Sequence, residues 1–340
     1  MNAPHEGAPS TASGDAPPPL GLPWLVADVG GTNARFGWVE DPAAGVRHVR
    51  QFAVAAHASP AQAAGAYLAS LGLPGLVPRR AAIAVATAVH GDAVSFTNSA
   101  WSFSCSALRQ ALGVDELRVL NDFEALALSL PHLQPHQLRA HGELPRAQGT
   151  LAVIGPGTGL GVAGVVQTPR GWQALPGEGG HATLAAADDF EAALLQHVRR
   201  SFSHVSAERL LSGIGLPTLH EAVAAVHGER AQALGAPQIV EGALAGTDAQ
   251  CARTIDAFCA LLGGFAGNVA LTLGARGGVY IGGGIVPRLG EHFFASRFRA
   301  RFEAKGRFQA YLQTIPTALI TDTQAALAGA AAALLQQRGG

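Results

Sequence analysis

The sequence predicts an α/β protein of two related domains. At roughly 100–200 residues per domain, a chain of 340 residues fits about two. Short continuous apolar runs at residues 25–27, 81–86, 151–154 and 278–281 read as buried strands, and helical stretches separate them. A strand–glycine turn–strand unit opens at Asp28 and again at Gly155, 127 positions on, each time ahead of mixed helix and strand. That weak duplication favours two similar α/β units over a repeat array.

Residues 1–23 form a leader rich in Pro, Ala, Gly and Ser, expected to be disordered because it cannot bury enough surface to fold. Order begins at Trp24. Residues 25–27 read as a strand, 28–33 as a turn around Gly30-Gly31, and 34–39 as the returning strand. Residues 46–54 make a third strand and 61–71 a helix. After the strand at 81–86, Ser104 caps a short helix that ends near Gly113. A strand at 117–120 leads at Asp122 into a helix running toward Leu130. The plan then restarts, with a strand at 151–154, a glycine turn at 155–161 and a strand at 162–167. The second half is more helical, with helices at 189–200, 207–211, 217–226 and about 248–273. Strands at Gly278–Ile281 and Thr317–Ile320 and a closing helix at 324–337 complete the chain.

Composition narrows the function. Hydrophobic residues make up 48% and charged residues 14%, which excludes bulk disorder. A formal net charge of −1 supplies no field for nucleic acid or anionic lipid, so neither is expected as a partner. Cys105, Cys251 and Cys259 contain no Cys-x-x-Cys pair, so a disulfide framework or zinc knuckle is not expected and a cytoplasmic location is. Mean hydropathy is +0.22, and residues 257–275 carry no charge. Gly263, Gly264, Gly267, Asn268 and Gly274 interrupt that run, which therefore reads as a buried core helix and not a membrane span.

Four constellations can carry chemistry. In Asp28-Val29-Gly30-Gly31-Thr32-Asn33 the adjacent glycines let backbone amides approach a phosphate, and Asp28 can orient a hydrated magnesium ion; a plain hairpin explains the same residues equally well. Gly155-Pro156-Gly157-Thr158-Gly159-Leu160-Gly161 repeats the logic. Its Gly-x-Gly-x-x-Gly, with Glu178 downstream, mimics a dinucleotide fingerprint, but the β-branched run after the turn reads as a strand where that fingerprint needs a helix. Gly282-Gly283-Gly284 offers bare backbone to a flat group such as adenine. Asn121-Asp122 ends a buried strand: Asp122 serves there either as a helix N-cap or as a base for a phosphoryl acceptor, and the two roles are compatible. Glu178 and His181, in Pro-Gly-Glu-Gly-Gly-His, suit hydrogen bonds to several hydroxyls; Glu208 opens a helical stretch, where dipole compensation is the plain reading. No Walker loop, kinase His-Arg-Asp or hydrolase Gly-x-Ser-x-Gly occurs.

Taken together, these motifs resemble the ATP-dependent bacterial glucokinases of the actin-like sugar kinase superfamily. The similarity runs from Leu25 to about Ala330. It rests on Asp-Val-Gly-Gly-Thr-Asn-Ala-Arg (28–35), Thr97-Asn98 with Trp101, Asn121-Asp122-Phe123, Gly-Thr-Gly-Leu-Gly (157–161) and Pro-Gly-Glu-Gly-Gly-His (176–181). His-Val-Ser-Ala-Glu-Arg (204–209), Leu211-Ser212-Gly213, Gly-Gly-Ile-Val-Pro-Arg (283–288) and Lys-Gly-Arg-Phe (305–308) extend it. The resemblance implies two actin-like (ribonuclease H-like) domains, each with a mixed sheet, and a cleft between them. The small domain would take residues 24–131 plus about 322–340, and the large domain 132–321. ATP would be held by Ala27, Asp28, Val29, Gly30, Gly31, Thr32, Asn33, Gly157, Thr158, Gly283 and Gly284, with Mg²⁺ at Asp28 mostly through water and phosphates. D-glucose would meet Asn98, Asn121, Asp122, Glu178, His181 and Glu208, with Asp122 as the base, and the family suggests a homodimer.

Two departures stand out: residues 86–92 lack a proline that the family carries, and the leader is extra. The alternatives are another hexose or N-acylhexosamine kinase and a non-catalytic sugar sensor. Such sensors carry an N-terminal helix-turn-helix, for which the leader is too short and proline-rich.

Overall fold

The computed structural model describes residues 21–72, 77–96 and 101–336. Most of the expected leader and residue Asn98 lie outside them. Among the described residues, two mixed sheets are built on one plan. The first runs β3 (Arg47–Ala53), β2 (Asn33–Val39), β1 (Trp24–Val29), β4 (Arg80–Val85), β7 (Glu116–Asn121), with a small hairpin of β5 (Ala93–Ser95) and β6 (Ser102–Ser104) beside it. The second runs β11 (Gly171–Leu175), β10 (Leu160–Thr168), β9 (Thr150–Pro156), β12 (Gly278–Ile281), β13 (Thr317–Ile320), β8 (Leu138–His141). In each sheet two antiparallel pairings on one flank meet two parallel pairings on the other. The faint duplication in sequence is thus a duplication of strand order; β8 is the one addition, antiparallel on the edge of β13.

The helices are α1 (Pro60–Ser70), α2 (Cys105–Leu112), α3 (Asp122–Ser129), α4 (Asp189–Val198), α5 (Leu216–Val226), α6 (Ala236–Leu244), α7 (Ala249–Leu273), α8 (Val286–Leu289), α9 (Glu291–Ala295), α10 (Phe298–Glu303), α11 (Gln309–Gln313) and α12 (Ala325–Leu335). Strand β1 is apolar apart from Asp28 near its end because both its faces are covered. Leu25, Ala27 and Val29 join Phe36, Trp38 and Tyr67 on one side, and Trp24 and Val26 join Leu327, Ala330 and Leu334 of α12 on the other. The last helix therefore returns to the first sheet. Helix α3 lies between the sheets: Ala125, Leu128 and Phe123 pack with Ala84 and Leu120 of the first and Val153, Ala163 and Val165 of the second. The uncharged run read as a core helix is α7, opened by the Asp248 side chain and closed by Gly274 at φ 62. Gly263 and Gly267 serve packing, since a Cβ on Gly263 would stand 2.1 Å from the carbonyl oxygen of Phe298 in α10 and one on Gly267 2.5 Å from that of Phe302.

Three expectations change. Residues 207–211 form turns and no helix, strapped to the 180–182 loop by the amides of Ala207 and Glu208, which donate to the carbonyls of Ala182 and Gly180. The glycine turn expected at 155–161 narrows to 157–159, as Pro156 and Leu160 already pair in the β9–β10 ladder. The cap of α3 is Asn121 and not Asp122. Strands β5, β6, β8 and β11 and helices α6 and α8 to α11 have no counterpart in the sequence reading.

Candidate active site

Asp122 stands where β7 becomes α3, at the carboxyl edge of the first sheet. The Asn121 side chain makes that transition: its Oδ1 accepts from the amides of Phe123 at 2.9 Å and Glu124 at 3.4 Å, and its Nδ2 donates to the Thr87 carbonyl at 3.2 Å. Asp122, whose Oδ1 also accepts from the Phe123 amide at 2.9 Å, faces a cleft of about 320 Å3 shared with Asp28, Gly30, Thr32, Asn33 and Arg35. Burial and the nearby Asp28 charge push its carboxyl up to about 7. Burial raises Asp28 as well, against the Arg35 guanidinium, whose Nη1 is 3.5 Å from Asp28 Oδ2. Arg35 is a cleft residue that the sequence reading left without a role; its cation beside two carboxylates and two glycines was the available signal.

The first turn presents Gly30, Gly31, Thr32 and Asn33 at this cleft or beside it, with Thr32 and Asn33 exposed. The Ala27 and Val29 side chains are buried in the core, so these two residues reach a ligand only through their main chain. In the second turn the four glycines divide their work. A Cβ on Gly155 would stand 2.4 Å from the Phe123 ring, and one on Gly161 would stand 1.9 Å from it, so these two glycines seat Phe123. Gly157 has nothing within 4 Å of the corresponding position, and Thr158 is exposed. The carbonyl of Gly157 accepts from the Gly213 amide at 2.8 Å, which fixes the turn against the loop before α5. Gly283, at φ +78, abuts the Pro156 carbonyl, and the amide of Ile285 donates to that oxygen at 3.1 Å. The second and third glycine runs therefore form one surface.

On the other side of Leu160, a Cβ on Gly180 would stand 1.9 Å from the Leu160 carbonyl oxygen and one on Gly179 3.0 Å from Val162. These glycines let the 178–181 loop lie on β10 and turn its polar side chains outward. His181 Nε2 is 3.9 Å from Glu178 Oε2, and His181 Nδ1 is 3.9 Å from Glu208 Oε1. Two residues of the 178–181 loop and Glu208, 30 positions after Glu178, thus form one polar cluster, in which Glu178 and His181 are exposed. Among the described residues no three His, Cys, Asp or Glu side chains converge as a metal cage. A divalent cation brought by a polyphosphate fits the donor that the cleft presents beside the glycine turn, the Asp28 carboxylate.

Comparison with known proteins identifies the family. The glucokinase family model matches residues 25–337. The glucokinase of Chromobacterium violaceum is 48% identical over 317 residues, covering 93% of this chain and 90% of its own. That of Aromatoleum aromaticum is 49% identical over 314 residues, covering 92% and 94%. The crystal structure of a glucokinase from an Antarctic psychrotroph shares 40% identity and a TM-score of 0.86, covering 93% of this chain and 99% of that one. A ROK family glucokinase from Streptomyces griseus, solved with glucose and AMPPNP, is 19% identical with a TM-score of 0.62 over 93% of this chain and 100% of its own, a likeness of fold. The chain belongs to the glucokinase family.

Proposed function

We propose that this protein is a glucokinase that transfers the γ-phosphoryl group of ATP to the 6-hydroxyl of D-glucose, giving glucose 6-phosphate and ADP. The observation that carries the reading is Asp122: a carboxylate at the head of α3, facing the glycine turn at Gly30-Gly31, with its proton affinity raised to about 7. Such a group accepts the proton of an attacking hydroxyl near neutral pH. Glu178, His181 and Glu208, with Asn121 and Asn98, would orient the sugar hydroxyls. Backbone amides of the turns at 30–33 and 157–158, with Gly283 and Gly284 beside the nucleotide, would meet the negative charge of the phosphates. Magnesium, when bound, neutralises phosphate charge, and Asp28 is the residue of this chain that would hold it, largely through water.

We take the small domain as residues 24–131 with the segment from about 322, supported by the packing of α12 on β1 and β4. The family resemblance supports a homodimer, and the three cysteines without a Cys-x-x-Cys pair support a cytoplasmic location. One panel tests the reading: ATP-dependent ADP release with glucose, mannose, fructose, galactose and N-acetylglucosamine. Glucose is expected to be the best acceptor. A different best acceptor replaces the sugar and keeps the kinase. Calorimetric glucose binding without ADP release from any sugar makes the chain a sensor.

A further inference from the structure

Glu208 touches both halves of the site. Its Oε2 accepts the amide of Leu160, the residue after the 157–159 turn, at 2.8 Å, while its Oε1 lies 3.9 Å from His181 Nδ1 in the hydroxyl-binding cluster. Its main chain is fixed at both ends: its amide donates to the Gly180 carbonyl at 2.9 Å, and the Ser212 hydroxyl donates to its carbonyl at 2.8 Å. Gly159 is shaped around this side chain. Its φ lies outside the left-handed region, so the backbone itself would accept another residue. A Cβ there would nevertheless stand 2.4 Å from Glu208 Oε2, and among the described residues only the Glu208 carboxyl group lies within 4 Å of it.

Resting on the kinase reading above, we infer that Glu208 couples the two substrates: a sugar hydroxyl donating to Oε1 fixes the carboxylate, and Oε2 then holds the 157–159 turn in place for the nucleotide. The terminal torsion of a free glutamate is broad. Once the sugar has fixed it, the Leu160 amide and the turn ahead of it no longer have to be ordered by the incoming phosphates. By linkage the nucleotide must tighten sugar binding by the same factor.

The test is calorimetry on the full chain, titrating the non-hydrolysable analogue AMPPNP with and without saturating glucose. Wild type is expected to bind it at least about fivefold more tightly with glucose present. Gly159→Ala evicts the carboxylate from the Leu160 amide; its coupling should fall below about twofold, and its glucose KM should rise although the change lies in the phosphate turn. Glu208→Asp keeps the charge but is one methylene too short to span the two partners, and it should lose coupling too, which carries the test should Gly159→Ala not fold. Coupling retained by a folded variant, or a wild type that binds both ligands without mutual effect, overturns the inference and leaves the kinase standing. A wild type that binds neither ligand overturns the kinase.

Discussion

Asp122 carries its proton to about 7 because it is buried beside Asp28, and that has opposite consequences for turnover and stability. The base acts only when deprotonated, so kcat/KM for glucose should rise with pH along an acid limb with an apparent pKa near 7, shared with Asp28 as a coupled pair. The folded carboxyl binds its proton more tightly than the unfolded one, so stability from this group falls as pH climbs from the ordinary carboxylate range through about 7. Asp122→Asn removes both effects: kcat should drop at least about a hundredfold, while Tm at pH 8 should exceed wild type and the gain should vanish near pH 4. Turnover within about threefold of wild type would make another carboxylate the base. A Cβ on Gly157 would meet no protein atom within 4 Å, so Gly157→Val is expected to fold. If Gly157 faces phosphate, ATP KM rises about tenfold or more in steady-state assays with glucose binding kept. The sequence displayed Asn121-Asp122 and the glycines plainly. What it concealed was the division of labour, since capping by Asn121 and seating of Phe123 by Gly155 and Gly161 depend on contacts that only the folded chain makes.

Helix α3 is the element through which the proposed site is assembled, because it begins with Asp122, the proposed base, and packs on both sheets. Phe123 keys it to the second glycine turn, which predicts strong coupling between that ring and Gly161. Phe123→Ala should destabilise by roughly 2–4 kcal/mol through lost burial, and Gly161→Ala should also destabilise, its Cβ falling 1.9 Å from the ring. In the double variant the clash disappears, so urea unfolding should give a combined loss well below the sum. Simple additivity would show that the ring does not fill the glycine notch. Elements with strong local signals were readable: α2 runs from the Ser104 cap to Gly113 at φ 66, and α7 from Asp248 to Gly274. Residues 207–211 misled because their composition suits a helix, yet they fold as turns lying against the 180–182 loop. Strands β8 and β11 and the short helices α8 to α11 span only four to six residues each, too few for a periodic signal to emerge.

At the scale of the molecule, two sheets of matching order were foreshadowed by two strand–turn–strand units 127 positions apart, whereas their joining through α3 was not. Glu178 and His181 have side chains 65% and 60% exposed, so a sugar bound there needs further covering before water is excluded as a competing acceptor. Glucose should therefore draw the halves together, with a lower radius of gyration in small-angle scattering and slower amide exchange at the 178–181 loop. An unchanged scattering profile would mean that the cleft works open. The return of α12 to the first sheet bears on how the protein is made. Strand β1 leaves the ribosome early, but Trp24 and Val26 acquire their cover of Leu327, Ala330 and Leu334 only some three hundred codons later. At about 5–20 residues per second the apolar back of the first sheet stays bare for on the order of 15–60 seconds while the whole second half is synthesised. The nascent chain is thus a natural client for a holdase, and a ribosome stalled ahead of α12 would release an aggregation-prone polypeptide, even with every residue assigned to chemistry already in place.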